Sequence, residues 1–260
     1  MGSKLTQGII SNSNISLSEI GLGTVKFGRN TDIKYPKSFN LLSDDDILEI
    51  LNTAADLGIN YLDTAIAYGS ANRRLGQLLP KINTKFKIVA KIGEHYSIEN
   101  GSKYNFSRSA LENDYEKLLK ELGINFIECL LLHCNNNDSG NHIREGLVFL
   151  SDMKKAGFIG AFGSSCKTKD GVKLALDLGS DLVMIEPNLY METKELFNLY
   201  ENVSVLIKKV FSSGNTLLNK NSNPSDILKR YTNEESINSI VIGSINISHI
   251  RQNIEPLLNK

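Results

Sequence analysis

The chain has 260 residues, of which 41% are hydrophobic and 22% charged, and its 29 basic and 29 acidic residues give a formal net charge of zero. The composition is that of a globular protein, and the balanced charge excludes the electrostatic signature of a protein whose main partner is nucleic acid or an anionic membrane surface. No stretch approaches the roughly 20 apolar residues of a membrane span, and the amino terminus lacks the apolar region of a secretory signal. We therefore expect a single cytoplasmic domain over residues 1–260.

The apolar periodicity alternates between strands and helices. Residues 5–17 predict an amino-terminal β-hairpin with its turn at 11–14. The predicted helices cover 43–57, 73–79, 107–122 and 143–155, and two segments, 26–40 and 94–106, predict long loops. The predicted strands are short and apolar, and they cover 19–23, 59–63, 86–91, 127–133, 159–164, 182–185, 203–207 and 240–242. Eight strands joined by right-handed helical crossovers predict an α/β fold, a (β/α)8 TIM barrel with a short amino-terminal hairpin.

Three successive predicted strands end in a polar side chain that can titrate or form hydrogen bonds. Asp63 ends the second strand, Lys91 the third and His133 the fourth, and Tyr68 lies on the loop after the second. Because the carboxyl ends of parallel strands meet at one rim of a barrel, we expect these four residues to lie together. Singly, Asp63 and Tyr68 also fit a helix cap and a turn.

A phenol beside an ammonium has a clear chemical use. A free tyrosine titrates near ~10, and a neighbouring ammonium favours the phenolate, so Lys91 is expected to lower the pKa of Tyr68 towards the operating range. Asp63 would then hold the ammonium in place. His133 would orient a carbonyl oxygen or assist proton delivery.

These residues resemble the aldo-keto reductase family, whose signature set is Asp, Tyr, Lys and His at the ends of the second, third and fourth barrel strands. The resemblance extends over nearly the whole chain. The matching pieces are Gly-Leu-Gly-Thr at 21–24, Asp-Thr-Ala-Ile-Ala-Tyr-Gly at 63–69, Leu-Gly at 75–76, Ala-Lys at 90–91, Leu-Leu-His at 131–133, 161–165, Ser-Ser-Gly at 212–214, Val-Ile-Gly-Ser at 241–244 and Asn253.

The resemblance implies a nicotinamide dinucleotide across the carboxyl face of the barrel, with NADP as the cofactor and NAD as the alternative. No Gly-x-Gly-x-x-Gly follows the first strand, so a Rossmann site is not indicated. The residues implied on the nicotinamide side are Gly23, Thr24, Ser165 and Lys208. Those implied at the pyrophosphate and beyond are Ser212, Gly214, Gly243, Ser244, His249 and Asn253, of which Gly243 and Ser244 precede a helix whose amino end can receive phosphate.

Three positions depart from the family pattern. Cys166 stands where many members have Asn, and Met184 stands where they have Gln, which weakens two expected contacts to the nicotinamide carboxamide. His249 stands where an Arg often contacts the adenosine 2′-phosphate, so the preference for NADP is weaker than the family implies.

The three cysteines, Cys129, Cys134 and Cys166, are odd in number and lack metal-site spacing, which favours reduced thiols over a disulfide framework. Cys134 and Cys166 follow two predicted strands, so both are expected near the active rim. Two interpretations of Cys166 stay open: an active-site thiol that a reagent attacks and bound cofactor protects, or a buried, inert thiol.

The resemblance implies reduction of an aldehyde or ketone by hydride transfer, with Tyr68 as the proton donor. The implied partner is a small-molecule carbonyl compound, with no nucleic acid or membrane. Bases outnumber acids in segment 26–40, which favours anionic substrates. One alternative is a nicotinamide-binding barrel that acts mainly as a redox sensor or partner-binding module. Another is a lyase that uses Lys91 as a Schiff base.

Overall fold

The computed structural model describes residues 4–33, 38–200, 202–211 and 223–258. The strands in these ranges are β1 (Gln7–Ile9), β2 (Ser16–Ser18), β3 (Ile20–Gly23), β4 (Tyr61–Asp63), β5 (Lys87–Ile92), β6 (Glu94–Ser97), β7 (Gly101–Tyr104), β8 (Ile127–His133), β9 (Ile159–Ser165), β10 (Leu182–Ile185), β11 (Ser204–Lys208) and β12 (Ser239–Ile242). The helices are α1 (Val25–Gly28), α2 (Asp44–Asp56), α3 (Ala71–Leu78), α4 (Arg108–Leu122), α5 (Asn141–Lys155), α6 (Lys169–Asp177), α7 (Pro187–Leu199), α8 (Pro224–Thr232) and α9 (Ile247–Ile254).

Eight parallel strands close a barrel in the order β10-β11-β12-β3-β4-β5-β8-β9. The predicted TIM barrel and its amino-terminal hairpin, β1–β2, are therefore confirmed. The register pairs Gly23 with Asp63 and His133 with Ser165 across neighbouring strands. Residues at the carboxyl ends of these strands consequently share one rim, which is where this fold places its chemistry.

Local sequence signals explain where two of the helices begin and end. Ser43 caps α2 through a capping box with Asp46, which accepts hydrogen bonds from the Ser43 backbone and hydroxyl. Gly123 ends α4 with a φ of 66°, a left-handed conformation that glycine adopts without strain. These caps stand at the start of the predicted helix 43–57 and directly after the predicted helix 107–122, and such signals are local because caps act through neighbours along the chain.

The barrel interior is a packed apolar core closed at its amino end by the β1–β2 hairpin. Ile10 and Leu17 of the hairpin pack with interior residues such as Tyr61 and Met184. The Tyr61 hydroxyl is hydrogen bonded to Ser239 Oγ at 2.7 Å, which satisfies a polar group in this core. The open end of the barrel is therefore the carboxyl rim.

Both predicted long loops contain secondary structure, so that part of the sequence interpretation was wrong. Segment 26–40 overlaps α1 and includes residues 34–37, which lie outside the described residues. Segment 94–106 contains the antiparallel β6–β7 hairpin, in which Glu94 pairs with Tyr104. Cross-strand pairing and tertiary contacts, which local periodicity does not report, stabilise these elements. Among the helices of the described ranges, none has the length and apolar character required to cross a membrane.

Candidate active site

Asp63 and Lys91 form a buried ion pair at the carboxyl ends of β4 and β5. The Lys91 ammonium donates to Asp63 Oδ1 and to the carbonyl oxygen of Thr64, the latter at 3.1 Å. The two side chains are only 1% and 6% exposed, so solvent screens this pair little. Loss of either partner would leave an uncompensated buried charge. The two hydrogen bonds hold the Lys91 ammonium in place at the carboxyl ends of these strands.

The loop that carries Tyr68 is held by a close approach of two glycines. Gly69 has a φ of 62°, and a Cβ atom on it would lie 2.2 Å from the carbonyl oxygen of Gly28. A Cβ atom on Gly28 would lie 2.0 Å from the backbone nitrogen of Ala71. Only glycine fits at both positions, and this contact places the Tyr68 loop against α1.

Tyr68 lies between the ion pair and His133. The Lys91 Nζ is 5.1 Å from the centroid of the Tyr68 ring. The Tyr68 and His133 rings meet edge to face, with centroids 6.1 Å apart and an interplanar angle of 82°. The structure thus brings Asp63, Tyr68, Lys91 and His133 together, while their catalytic roles remain predictions.

The pKa of Tyr68 moves in the direction opposite to the one expected from the sequence. Burial raises the pKa of the phenol well above its usual range, and the carboxylates of Asp63 and Glu94 raise it further. The ammonium of Lys91 does not lower it because Asp63 neutralises that charge at contact distance. Tyr68 is therefore held as a neutral phenol, the form that can donate a proton.

Glu94, which was not singled out from the sequence, contacts His133. The Glu94 Oε2 lies 2.7 Å from His133 Nδ1, and the side chains are 10% and 13% exposed. The approach is too oblique for a hydrogen bond of good angular geometry, so we describe it as a close charge contact. Burial lowers the pKa of His133 to about 4 even though Glu94 opposes this shift.

The carboxylate of Glu94 is itself stabilised in its charged form. Burial acts to raise its pKa, but the close contact with His133, the hydroxyl of Ser102 and the charge of Arg29 bring it down to about 2. Ser102 Oγ donates to Glu94 Oε1 at 2.6 Å. At neutral pH the β6–β7 hairpin therefore places a carboxylate anion next to the His133 imidazole.

Arg29 connects the segment after β3 to the same hairpin. Its guanidinium carbon lies 3.3 Å from the centroid of the Tyr96 ring, a stacked cation–π contact. It also donates to the carbonyl oxygens of Ala67 at 3.2 Å, Thr31 at 2.9 Å and Asp32 at 3.0 Å. Arg29 therefore has a structural role beside the site: it joins the segment after β3 to the Tyr68 loop and to the β6–β7 hairpin.

Two predicted cofactor residues, Ser165 and Lys208, contact each other across the rim. The Lys208 Nζ donates to Ser165 Oγ at 2.6 Å, and both residues are buried. Burial lowers the pKa of Lys208 well below its usual range, and the charges of Lys167, Lys209 and Lys91 lower it further. This amine is therefore a donor in strongly electropositive surroundings.

Lys167 and Lys209 share one carboxylate near Lys208. The Lys209 Nζ lies 2.7 Å and the Lys167 Nζ 3.5 Å from the same oxygen, Glu186 Oε1. Burial acts to raise the pKa of Glu186, but the hydrogen bond and charge of Lys209, followed by Lys167 and Lys208, bring it to about 2. The ion pair of Lys167 with Glu186 is therefore longer and weaker than that of Lys209.

The other predicted cofactor residues lie around the same rim where they are described. Thr24 donates from its hydroxyl and its amide to the Asp63 carbonyl oxygen, both at 3.0 Å, next to Gly23 at the end of β3. Gly243 is exposed and Ser244 half-buried in the loop after β12. In α9, His249 is exposed and Asn253 buried, whereas Ser212 and Gly214 lie outside the described residues.

These residues fit a nicotinamide dinucleotide at the rim. A Cβ atom on Gly243 would meet no atom within 4 Å, so the loop before α9 presents open space. Asn246 caps α9 by accepting from the His249 amide at 3.2 Å, and the remaining amides of the first turn lie beside this loop. An amine, a hydroxyl and a helix amino end suit a polar, anionic ligand.

The departures at Met184 and Cys166 remove polar groups from the rim. Met184 is fully buried in the barrel interior, and Cys166 is fully buried against the helices. Cys134 is also buried, and burial raises its pKa to about 12 and that of Cys166 above the ordinary range. The structure contradicts an exposed, reactive Cys166 and favours the inert alternative.

A polar cleft opens beside the site. Its volume is about 580 Å³, and its lining residues are Tyr104, Asn135, Asn136, Asn137 and Lys167. Asn135 follows His133 by two residues and Lys167 follows Ser165 by two, so the cleft adjoins the rim that carries those side chains. A second cavity, of about 240 Å³, is lined by residues such as Gly8 and Ser239 at the opposite end of the barrel.

The model of the Aldo/keto reductase family matches residues 19–259. An aldo-keto reductase of Fusarium vanettenii is 26% identical over 182 residues, which are 60% of this chain and 47% of that protein. D-threo-aldose 1-dehydrogenase of a Pseudomonas species is 23% identical over 232 residues, 78% of this chain and 68% of that protein. The chain spans about half the length of the first three curated relatives that it matches.

A solved structure from Pseudomonas aeruginosa, named as an aldo-keto reductase, superposes with a TM-score of 0.83 at 28% identity, covering 99% of this chain and 96% of that one. An aldo-keto reductase from Bacillus halodurans superposes with a TM-score of 0.80 at 18% identity, covering 96% and 90% of the two chains. The second likeness concerns the fold alone.

Proposed function

The chain belongs to the aldo/keto reductase family, and we propose that it reduces an aldehyde or ketone to an alcohol, with Tyr68 as the proton donor. The observation that carries this proposal is the adjacency of Tyr68 to the buried Asp63–Lys91 pair and to His133 at the barrel rim. A relative named as D-threo-aldose 1-dehydrogenase supports an oxidoreductase acting on a small molecule.

Tyr68 suits the role of general acid in three ways. Its pKa is raised, so the phenol stays protonated at neutral pH. The residue as a whole is half-buried, so part of it is open to solvent at the rim. Its loop is fixed by the contact between Gly28 and Gly69, which limits the motion of the donor relative to the rim.

The Asp63–Lys91 pair acts on the phenol electrostatically. As the phenol gives up its proton, negative charge develops on its oxygen, and the Lys91 ammonium lies 5.1 Å from the ring centroid. An ammonium already oriented by Asp63 and Thr64 stabilises this charge without reorganising. The pair therefore offsets part of the cost of ionising a phenol whose pKa is raised by burial.

The reduced nicotinamide, when bound, supplies the hydride. Gly23, Thr24, Ser165 and Lys208 would hold its nicotinamide end, and Gly243, Ser244, His249 and Asn253 its adenosine end. Ser212 and Gly214 would contact the pyrophosphate. We propose NADP, which the family resemblance implies, as the first cofactor to test. NAD is the second, because His249 replaces the Arg that favours a 2′-phosphate.

Two rival functions have specific motivations. The buried Met184 and Cys166 offer no polar side chain to a carboxamide, which motivates a barrel that binds cofactor weakly and acts as a sensor. A lyase would need a neutral Lys91 amine, but this amine donates to a carboxylate and is 1% exposed. Borohydride trapping with a carbonyl substrate tests the lyase, and turnover tests the sensor.

The experiment is to follow oxidation of NADPH and NADH with a panel of aldehydes and ketones in the wild type and in Tyr68→Phe. We expect wild-type turnover and a fall in kcat of about 100-fold or more in the variant, the scale of general acid catalysis. The Kd of the reduced cofactor, measured by fluorescence, should not change. Full activity of Tyr68→Phe would refute the role of Tyr68, and cofactor binding without turnover would favour the sensor.

A further inference from the structure

Glu94 contacts one of the two ring nitrogens of His133, Nδ1. The Glu94 Oε2 lies 2.7 Å from His133 Nδ1, closer than the contact distance of two lone pairs. A carboxylate has only acceptor sites, and an unprotonated ring nitrogen is also an acceptor. A lone pair on Nδ1 would repel the carboxylate at this distance, so the contact favours a proton on Nδ1 even though its angle is oblique.

A proton on Nδ1 determines what the other nitrogen can do. In a neutral imidazole one nitrogen carries the proton and the other presents a lone pair. Burial keeps His133 neutral near pH 7, since its pKa is about 4. Nε2 is then an acceptor, which can receive a hydrogen bond or a proton from a hydroxyl but cannot donate to a carbonyl oxygen.

We propose that Glu94 is a positioning residue that holds His133 in its Nδ1–H tautomer, so that Nε2 serves as a proton acceptor at the rim. This inference rests on the proposed carbonyl reduction for its kinetic consequence but not for its structural content. It corrects one of the two roles expected from the sequence, because a neutral His133 cannot orient a carbonyl oxygen by donating to it. The role that remains is proton exchange with a hydroxyl group.

The β6–β7 hairpin is built to hold Glu94 against the imidazole. Ser102, on the neighbouring strand, donates to Glu94 Oε1 at 2.6 Å, which leaves Oε2 for His133. Gly93 precedes Glu94 with a φ of 94°, and its amide donates to Asp114 Oδ2 at 2.9 Å. The carboxylate is thus fixed at both its side chain and its backbone.

The charges around the pair come from several elements. Lys91 on β5 and Lys208 on β11 lower the pKa of His133, and Glu94 raises it. Arg29, after α1, lowers the pKa of Glu94. Tyr68 meets the imidazole edge to face. Removal of Glu94 leaves the charges of Lys91 and Lys208 unopposed, so the pKa of His133 should fall and the Nδ1 proton should lose its carboxylate partner.

The direct test is NMR of the imidazole nitrogens in protein labelled with ¹⁵N-histidine. The chain has four histidines, so His133→Gln assigns the His133 signals by difference. We expect wild-type His133 to be protonated on Nδ1 between about pH 6 and 8. In Glu94→Gln we expect the Nδ1–H form to give way to a mixture of tautomers.

Three further variants make the test specific. Glu99→Gln removes the same charge from an exposed site on the same hairpin and should leave the His133 signals unchanged. Ser102→Ala keeps the carboxylate but removes its hydrogen bond, and should cause a smaller tautomer shift than Glu94→Gln. Glu94→Asp keeps the charge on a shorter side chain and should restore the tautomer only in part.

The kinetic readout separates positioning from a general loss of structure. Glu94→Gln should lower kcat for carbonyl reduction by about tenfold, the scale for a residue that orients a catalytic group, with little change in KM. The limb of the pH profile assigned to His133 should move to lower pH. A wild-type His133 protonated on Nε2, or a spectrum that Glu94→Gln does not alter, would overturn the inference. Absence of any turnover would instead refute the proposed function and leave the tautomer result intact.

Discussion

Lys208 donates to Ser165 across the barrel rim at 2.6 Å, and both residues are buried. The pKa of Lys208 is lowered by burial and by Lys167, Lys209 and Lys91, which means that the fold disfavours the charge that it holds there. A group maintained against stability is expected at functional sites, where it serves a ligand.

Lys208→Met should therefore stabilise the protein and weaken cofactor binding. A lysine with a lowered pKa in the folded state binds fewer protons than the unfolded chain, so its penalty is largest below the lowered pKa and disappears as pH rises towards about 10. We expect a gain of about 1 kcal/mol in the free energy of unfolding at neutral pH, smaller at pH 9. Urea unfolding at both pH values measures it, and fluorescence titration measures the cofactor Kd.

Lys209→Met is the matched control for this substitution. Lys209 bonds Glu186 at 2.7 Å and is partly exposed, so its removal leaves a carboxylate without its nearer partner. It should bring no gain in stability. Equal stabilisation by both substitutions would show that the effect does not come from the burial of Lys208.

Asp63 and Lys91 should behave as one unit in a double-mutant cycle. Asp63→Asn and Lys91→Met each leave a buried charge without its partner and should each lower the free energy of unfolding by about 3 kcal/mol. The double variant should lose much less than the sum, because no charge is stranded. Additive losses in urea unfolding would contradict a coupled buried pair.

The strand ends were predictable because each depends on a pattern within a few residues. Asp63, Lys91 and His133 each end an apolar run, and a barrel brings such ends to one rim. Caps such as Ser43 and Gly123 are local in the same sense. Patterns of this kind need no knowledge of what packs against them.

The partners of these side chains were not predictable in the same way. Glu94 lies three residues beyond Lys91, in a segment read as a loop, and it reaches His133 only because β6 and β7 form a hairpin. The raised pKa of Tyr68 depends on burial and on Asp63 and Glu94 together. The sequence does show an acid, Glu94, directly after Gly93. Its contact with His133 depends on tertiary structure, which local sequence patterns do not report.

The cysteines should not react in the native protein. Cys129, Cys134 and Cys166 are at most 1% exposed, and burial raises the pKa of each thiol. A thiol reagent should modify all three in urea and none before unfolding, with or without cofactor. Rapid native modification that is absent from Cys166→Ser would restore the active-site interpretation of that residue.

Selection for anionic substrates should depend on Lys167 rather than on the basic segment after the first barrel strand. In that segment Arg29 donates to three backbone carbonyl oxygens, and residues 34–37 lie outside the described residues. Lys167 instead lines the polar cleft and is only 3.5 Å from a carboxylate that has a nearer partner in Lys209. An anionic group in the cleft would give this ammonium a closer partner.

We therefore predict that Lys167→Met lowers kcat/KM for an oxo-carboxylate by about tenfold relative to the matching neutral carboxamide, the scale of a charge-assisted hydrogen bond. Para-carboxybenzaldehyde and para-formylbenzamide form one such pair, and short aliphatic pairs vary the distance between the carbonyl and the charge. Lys167→Arg should keep the preference, and Lys173→Met, which removes an exposed charge from α6, should not affect it. The preference should weaken with added salt because the cleft is open to solvent. An unchanged ratio, or an equal loss for both substrates with a raised cofactor Kd, would assign Lys167 to the cofactor or to the fold.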